Sequence, residues 1–120
     1  SVKNDLVLDP FLGTGTTTKA AVCSERNSIG FERDDTLSEL IDKEIRESRD
    51  FYNNYVEERL DRHLEFIETR IESDREVKHK LNNHEGYCVS SQEVDIVLNK
   101  ISDIEISSSG YEVLYEPLGR

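Results

Sequence analysis

The chain opens with a short apolar run, Leu6-Val7-Leu8, followed by a glycine-containing stretch and by Lys19-Ala20-Ala21-Val22, which continues a helix. A second run, Ser28-Ile29-Gly30-Phe31-Glu32, reads as another strand. Strand, turn, helix and strand in this order make a βαβ beginning, which calls for a parallel sheet. Parallel sheets are covered on both faces, so the missing strands are expected to come from elsewhere.

Thr36 stands three residues before Glu39, a capping-box spacing, and Leu37, Leu40, Ile41 and Ile45 follow at helical intervals. The same spacing continues through Tyr52, Tyr55, Val56, Leu60, Leu64, Ile67 and Ile71. One helix from 36 to 82 would be about 70 Å long, against about 35 Å for a compact domain of this size. The pattern therefore predicts either a break near Ser48-Arg49-Asp50 or a helix that projects to meet a partner. Ser90 and Glu93 repeat the capping-box spacing, and Val94, Val97, Leu98 and Ile101 predict a short helix after it. The period then changes to two. Ile104 and Ile106, a Ser107-to-Gly110 turn, and Tyr111, Val113 and Tyr115 predict a β-hairpin. The expected organisation has three parts: 1–36 as the βαβ segment, 37–85 as a long helical region, and 86–120 as a small αββ tail.

Charge narrows the possible partners. With 26 acidic against 15 basic residues and a net charge of -11, this chain is not expected to grip a nucleic-acid backbone alone, because phosphate binding relies on clustered Lys and Arg. No window approaches the roughly 18 apolar residues of a membrane span, and no leader pattern opens the chain. Cys23 and Cys88 do not make a disulfide framework. The expectation is a soluble, cytoplasmic protein in a reducing compartment with no membrane partner. The lack of Met and the opening at Ser1, close to the first strand, predict a piece of something longer. His79, His84 and Cys88 match no standard zinc spacing, so no metal is expected. Cys88 reads as a small packing hydrophobe, the two histidines as exposed near a helix end, and Tyr52 and Tyr55 as core or interface.

The chemistry concentrates in Asp9-Pro10-Phe11-Leu12-Gly13-Thr14-Gly15-Thr16-Thr17, directly after a strand and opening a helix. Gly13 and Gly15 allow a tight turn and close backbone approach to a ligand, and the helix start offers free N–H groups. The residues after Gly15 lack the Gly-Lys-Ser/Thr of an NTPase phosphate loop. Thr18 stands where a dinucleotide fingerprint needs its third glycine, and the Asp9 carboxylate would repel a pyrophosphate while attracting a cation. S-adenosylmethionine suits such a loop, since it carries a sulfonium, an ammonium and a ribose but no phosphate. Glu32 follows Asp9 by 23 residues, at the end of the second strand, where a carboxylate can accept hydrogen bonds from both ribose hydroxyls. Phe11 reads equally as a ligand contact or as core.

The string D-P-F-L-G-T-G-T-T followed by G-F-E resembles the cofactor half of the DNA amino-methyltransferases, which methylate the exocyclic amino group of adenine or cytosine; the resemblance covers roughly residues 5 to 35. It implies an α/β, Rossmann-like methyltransferase fragment with S-adenosylmethionine as cofactor. By that resemblance Asp9 serves the methionine ammonium, Phe11 and the Gly13-to-Thr17 loop, with Gly15 and Thr16, serve the methionine moiety, and Glu32 serves the ribose. The family's Pro-Pro-aromatic catalytic motif is absent, since Pro10 and Pro117 are the only prolines. No catalytic residue is therefore expected in this chain. In the permuted, beta-type branch that motif and the target-recognition region precede the cofactor loop, so the chain resembles a C-terminal portion and would meet DNA through the catalytic half it lacks. Arg33 stands where the family usually has an apolar residue against the adenine ring. The alternative reading is a non-catalytic module derived from a methyltransferase, whose helical region makes a homodimer or binds a partner chain.

Overall fold

A computed structural model describes all residues from Ser1 to Arg120. Strand β1 (Leu6–Asp9) leads through the glycine loop into helix α1 (Thr16–Val22) and returns as β2 (Asn27–Gly30). The two strands pair in parallel, with Leu6 opposite Asn27 and Asp9 opposite Gly30. A long helix α2 (Ser38–Glu72) follows, then a minimal antiparallel pair β3 (His79–Lys80) and β4 (Tyr87–Cys88), and finally the ribbon β5 (Asn99–Ser107) and β6 (Gly110–Pro117). The architecture is mixed α/β, with three separate two-stranded sheets. No helix is long and apolar enough to cross a membrane.

The chain forms two compact units: residues 1–52 with 101–114, and residues 53–100 with 115–120. In the first, Ala21 and Val22 of α1, Ile41, Ile45 and Tyr52 of α2, and Ile101 of β5 are buried. Lys19 joins α1 to α2 by an ion pair with Glu44 at 3.3 Å and by lying 5.3 Å from the centroid of the Phe51 ring. Tyr111 of β6 donates a short hydrogen bond to Asp42 of α2. Burial and that carboxylate push its phenol up to about 12. Alternate residues of the βαβ sheet remain open to solvent: Leu6, Leu8 and Ile29 are all exposed, as is Phe31 just beyond β2. Helix α1 has one face to cover, and the period of two leaves the other bare.

Helix α2 does not break at Ser48-Arg49-Asp50, contrary to one of the two expectations. Ser48 is fully buried, and its hydroxyl donates to the Ile45 carbonyl one turn back, so the polar group is satisfied without opening the helix. The start also differs: Asp34, not Thr36, caps the turn, its Oδ1 accepting both the Thr36 N–H at 3.0 Å and the Thr36 hydroxyl at 2.6 Å. The helix ends at Glu72, just after Ile71, the last residue of the helical spacing, and ten residues short of the 36–82 helix considered from the sequence. Asp74 takes a left-handed conformation (φ 56°), its N–H bonds the Ile71 carbonyl, and the Arg75 N–H bonds the Arg70 carbonyl. This is a Schellman ending built on Asp in place of Gly.

The expected short helix over 94–101 is absent. The Ser90 and Glu93 capping box forms, but it caps a single 3-10 turn, Ser91–Glu93. Beyond it the backbone groups find tertiary partners. The Val94 carbonyl accepts Asn82 N–H, Leu98 N–H donates to His84 Nε2 at 2.7 Å, and the Leu98 carbonyl accepts Leu118 N–H. Ile101 is already in β5. The tail is therefore the short strand β4, a turn and the two strands β5 and β6; the β-hairpin forms as predicted, with Ser108 and Ser109 in its loop.

In the second unit Val56, Leu60, Ile67, Leu81, Cys88 and Leu118 are buried. Cys88 packs as a small hydrophobe and makes a weak bond to the Ser90 carbonyl. His84 is buried, not exposed. Because Leu98 N–H points at Nε2, that nitrogen accepts, and Nδ1 carries the proton towards the Arg120 carbonyl at 3.2 Å. A neutral imidazole thus ties the 98 and 120 segments together. His84→Ala leaves the Leu98 N–H unpaired, while the Arg120 carbonyl keeps the Glu85 N–H at 2.8 Å, and should lower the unfolding free energy by about 1–3 kcal/mol, measured by urea denaturation. A variant as stable as the parent would show that these bonds carry no net stability.

Candidate functional site

Parallel pairing sets the site. Because β1 and β2 run the same way in register, Asp9 and Gly30 sit side by side at the carboxyl edge, and the chain after each turns out over the same end of the sheet. Phe31 N–H bonds the Asp9 carbonyl and Leu12 N–H bonds the Phe31 carbonyl, both at 2.9 Å, so the pairing continues into the loop.

Three glycines make the turn possible for two different reasons. Gly13 and Gly15 have φ of 60° and 90°, which L side chains rarely adopt. At Gly15 a Cβ would also lie 3.2 Å from Ile41 Cγ2, so the loop rests directly on α2. Gly30 is different: a Cβ there would lie 2.7 Å from both Leu12 Cδ atoms, and the glycine makes room for a loop side chain to lie across β2. The motif pattern singled out Gly13 and Gly15, whereas Leu12 and Gly30 were missed, because only tertiary contact links them.

The two acids are both engaged with backbone. Asp9 Oδ1 accepts the Phe11 N–H at 2.9 Å, and Oδ2 accepts the Thr17 hydroxyl at 2.6 Å. Asp9 thereby fastens the beginning of the loop to the first turn of α1. Glu32 lies two residues beyond β2, and its Oε2 accepts the Gly13 N–H at 2.8 Å while Oε1 accepts the Asp34 N–H at 3.1 Å. Thr16 is the first residue of α1, next to Gly15. Phe11 is 87% exposed, so it is not core. Pro10, Phe11, Phe31, Glu32 and Arg33 line an open pocket of about 460 Å³. The structure thus brings Phe11 and Glu32 to one pocket and the Glu32 carboxylate onto Gly13, while Asp9, Gly15 and Thr16 shape the loop beside it. Thr17 lies at the end of the Gly13-to-Thr17 loop that the resemblance assigned to the methionine moiety, but its hydroxyl bond to Asp9 was not foreseen.

The pocket walls are aromatic and acidic, with one cation at Arg33 and no cluster of Lys and Arg of the kind a pyrophosphate needs. His79, His84 and Cys88 lie outside it, and no group of three or more His, Cys, Asp or Glu side chains is arranged to hold a metal ion.

Residues 1–43 match the family of DNA methylases. The chain is 42% identical over 98 residues to the type II methyltransferase M.MthZI of Methanothermobacter thermautotrophicus, a stretch covering 82% of this chain and 26% of that protein. It is 58% identical over 45 residues to type II methyltransferase M.MjaI of Methanocaldococcus jannaschii, covering 38% of this chain and 15% of the relative. It is also 49% identical over 47 residues to type II methyltransferase M.HinfI of Haemophilus influenzae, covering 39% and 13%. The chain spans about a quarter or less of the length of these curated relatives. No solved structure matches it. The likenesses are thus to DNA methylases and type II methyltransferases.

The Thr17 hydroxyl and, after it, the Phe11 N–H hold the Asp9 carboxyl below its ordinary value. With a folded value below the unfolded one of about 3.9, the interaction stabilises the loop above about pH 4 and is lost as pH falls through the lowered value. The Phe11 amide proton should therefore shift on acidification with a midpoint below the normal Asp range, read by NMR. In Asp9→Asn that step should vanish; its persistence would mean that another acid controls the loop.

Proposed function

We propose that this chain is the S-adenosylmethionine-binding portion of a DNA amino-methyltransferase of the permuted, beta-type arrangement, on a Rossmann-like sheet whose remaining strands lie outside the residues described. The observation that carries the reading is the placement of Glu32 at the mouth of an aromatic pocket, hydrogen-bonded to the glycine loop that follows the neighbouring parallel strand. The likeness over 98 residues reaches well past the 43 that match the DNA methylase family, into the helical region, and this favours the enzyme reading over a non-catalytic module.

The pocket's groups fit the ligand's parts. Each carboxylate oxygen of Glu32 carries one N–H and retains a lone pair for a ribose hydroxyl. Phe11, and the loop of Gly13, Gly15 and Thr16, lie where the methionine portion would run, with the Asp9 carboxylate as the local negative charge for its ammonium. When bound, S-adenosylmethionine supplies an electrophilic methyl group. The chain's residues bind and orient it, and positioning supplies a large share of such catalysis. The base and the catalytic motif would come from the half that meets DNA, which suits a chain of net charge -11.

Calorimetric titration of S-adenosylmethionine into the purified chain tests the proposal. Binding is expected with one site, and Glu32→Ala should weaken it by about 1.5–3 kcal/mol through loss of charged hydrogen bonds. Equal affinity in the variant would remove Glu32 from the site, and a parent chain that binds no S-adenosylmethionine would remove the cofactor reading.

A further inference from the structure

We infer that Glu32 is a positioning residue for the glycine loop as well as an acceptor for the ligand: its carboxylate holds Gly13 and Asp34 in place before any ligand arrives. The ligand half of this statement rests on the cofactor reading above; the positioning half rests on the chain alone.

The geometry is specific. Glu32 is half-buried and links the loop after β1, 19 residues away, to its own stretch between β2 and α2, where Asp34 is two residues on. One oxygen takes the N–H of Gly13, a residue whose φ of 60° leaves its amide without a helix or strand partner. The other takes the N–H of Asp34, and Asp34 in turn caps the turn leading into α2 through Thr36. A single side chain therefore connects the loop after β1, the exit from β2 and the start of α2. A carboxylate offers about four lone-pair positions, so two remain after these bonds. Glu32 also lines the pocket with Phe11, Phe31 and Arg33, where its remaining acceptors suit two vicinal hydroxyls. The loop is thus pre-organised by the group that would later meet the ligand, which lowers the ordering cost of binding.

Two variants separate this role from ligand contact. Glu32→Ala removes both acceptors. Glu32→Gln keeps one carbonyl oxygen, but its amide nitrogen accepts nothing, so it can hold either Gly13 or Asp34 and not both. Amide hydrogen exchange in the full chain without ligand, followed residue by residue by NMR, should show Gly13 and Asp34 exchanging roughly tenfold faster in Glu32→Ala, as expected for a lost charged hydrogen bond. Only one of the two should accelerate in Glu32→Gln. Amides within β1 and β2 should keep their parent rates in both variants. Unchanged exchange at Gly13 in Glu32→Ala would overturn the positioning role, and so would acceleration spreading evenly through β1 and β2, which would mark general loosening. A parent chain that binds no S-adenosylmethionine would remove the ligand half, and the exchange rates would still decide the positioning half.

Discussion

The parallel register of β1 and β2 is the constraint from which the rest of the first unit follows. It fixes Asp9 beside Gly30 and sends both outgoing segments over one end of the sheet, where Glu32 can reach the Gly13 backbone across 19 residues of chain. An antiparallel pair would put the two exits at opposite ends, and no side chain would then bridge them. The register also explains the glycines: Leu12 lies over Gly30, and Gly15 lies on Ile41, because the loop is drawn down between β2 and α2. Sheet pairing, loop conformation and the placement of the acids are thus one arrangement.

That arrangement is built more from backbone hydrogen bonds than from apolar burial. Asp9, Glu32 and Asp34 each accept a main-chain N–H, in a region where Phe11, Phe31, Leu6 and Leu8 stay exposed. Carboxylates that accept backbone donors make stronger bonds than neutral acceptors, so a short loop can be held with little core beneath it.

Local signals read the first 36 residues well, because strand, turn and helix there each carry their own chemistry. Leu6-Val7-Leu8, the D-P-F-x-G-x-G-T-T string and the acid at 32 were all legible, and the parallel pair formed with the acids at its edge. Tertiary satisfaction defeated local reading elsewhere. Ser48 looked like a break and is a buried hydroxyl bonded within its own helix. Residues 94–101 carry helical spacing, yet Asn82, His84 and Leu118 claim their backbone groups, and the segment extends. His84 itself read as a surface residue, since nothing nearby in sequence announces that Leu98 and Arg120 will close on both ring nitrogens. The αL aspartate that ends α2 was equally silent, Asp being a rarer choice there than Gly.

The central claim is that the ligand meets the chain at the edge shared by β1 and β2. Mapping amide chemical-shift changes on adding S-adenosylmethionine to the labelled full chain tests it most directly. The account predicts changes confined to Asp9 through Thr17 and to Phe31 through Asp34. Changes centred on residues 53–100, or a saturating titration that leaves Gly13 and Glu32 unmoved, would contradict it.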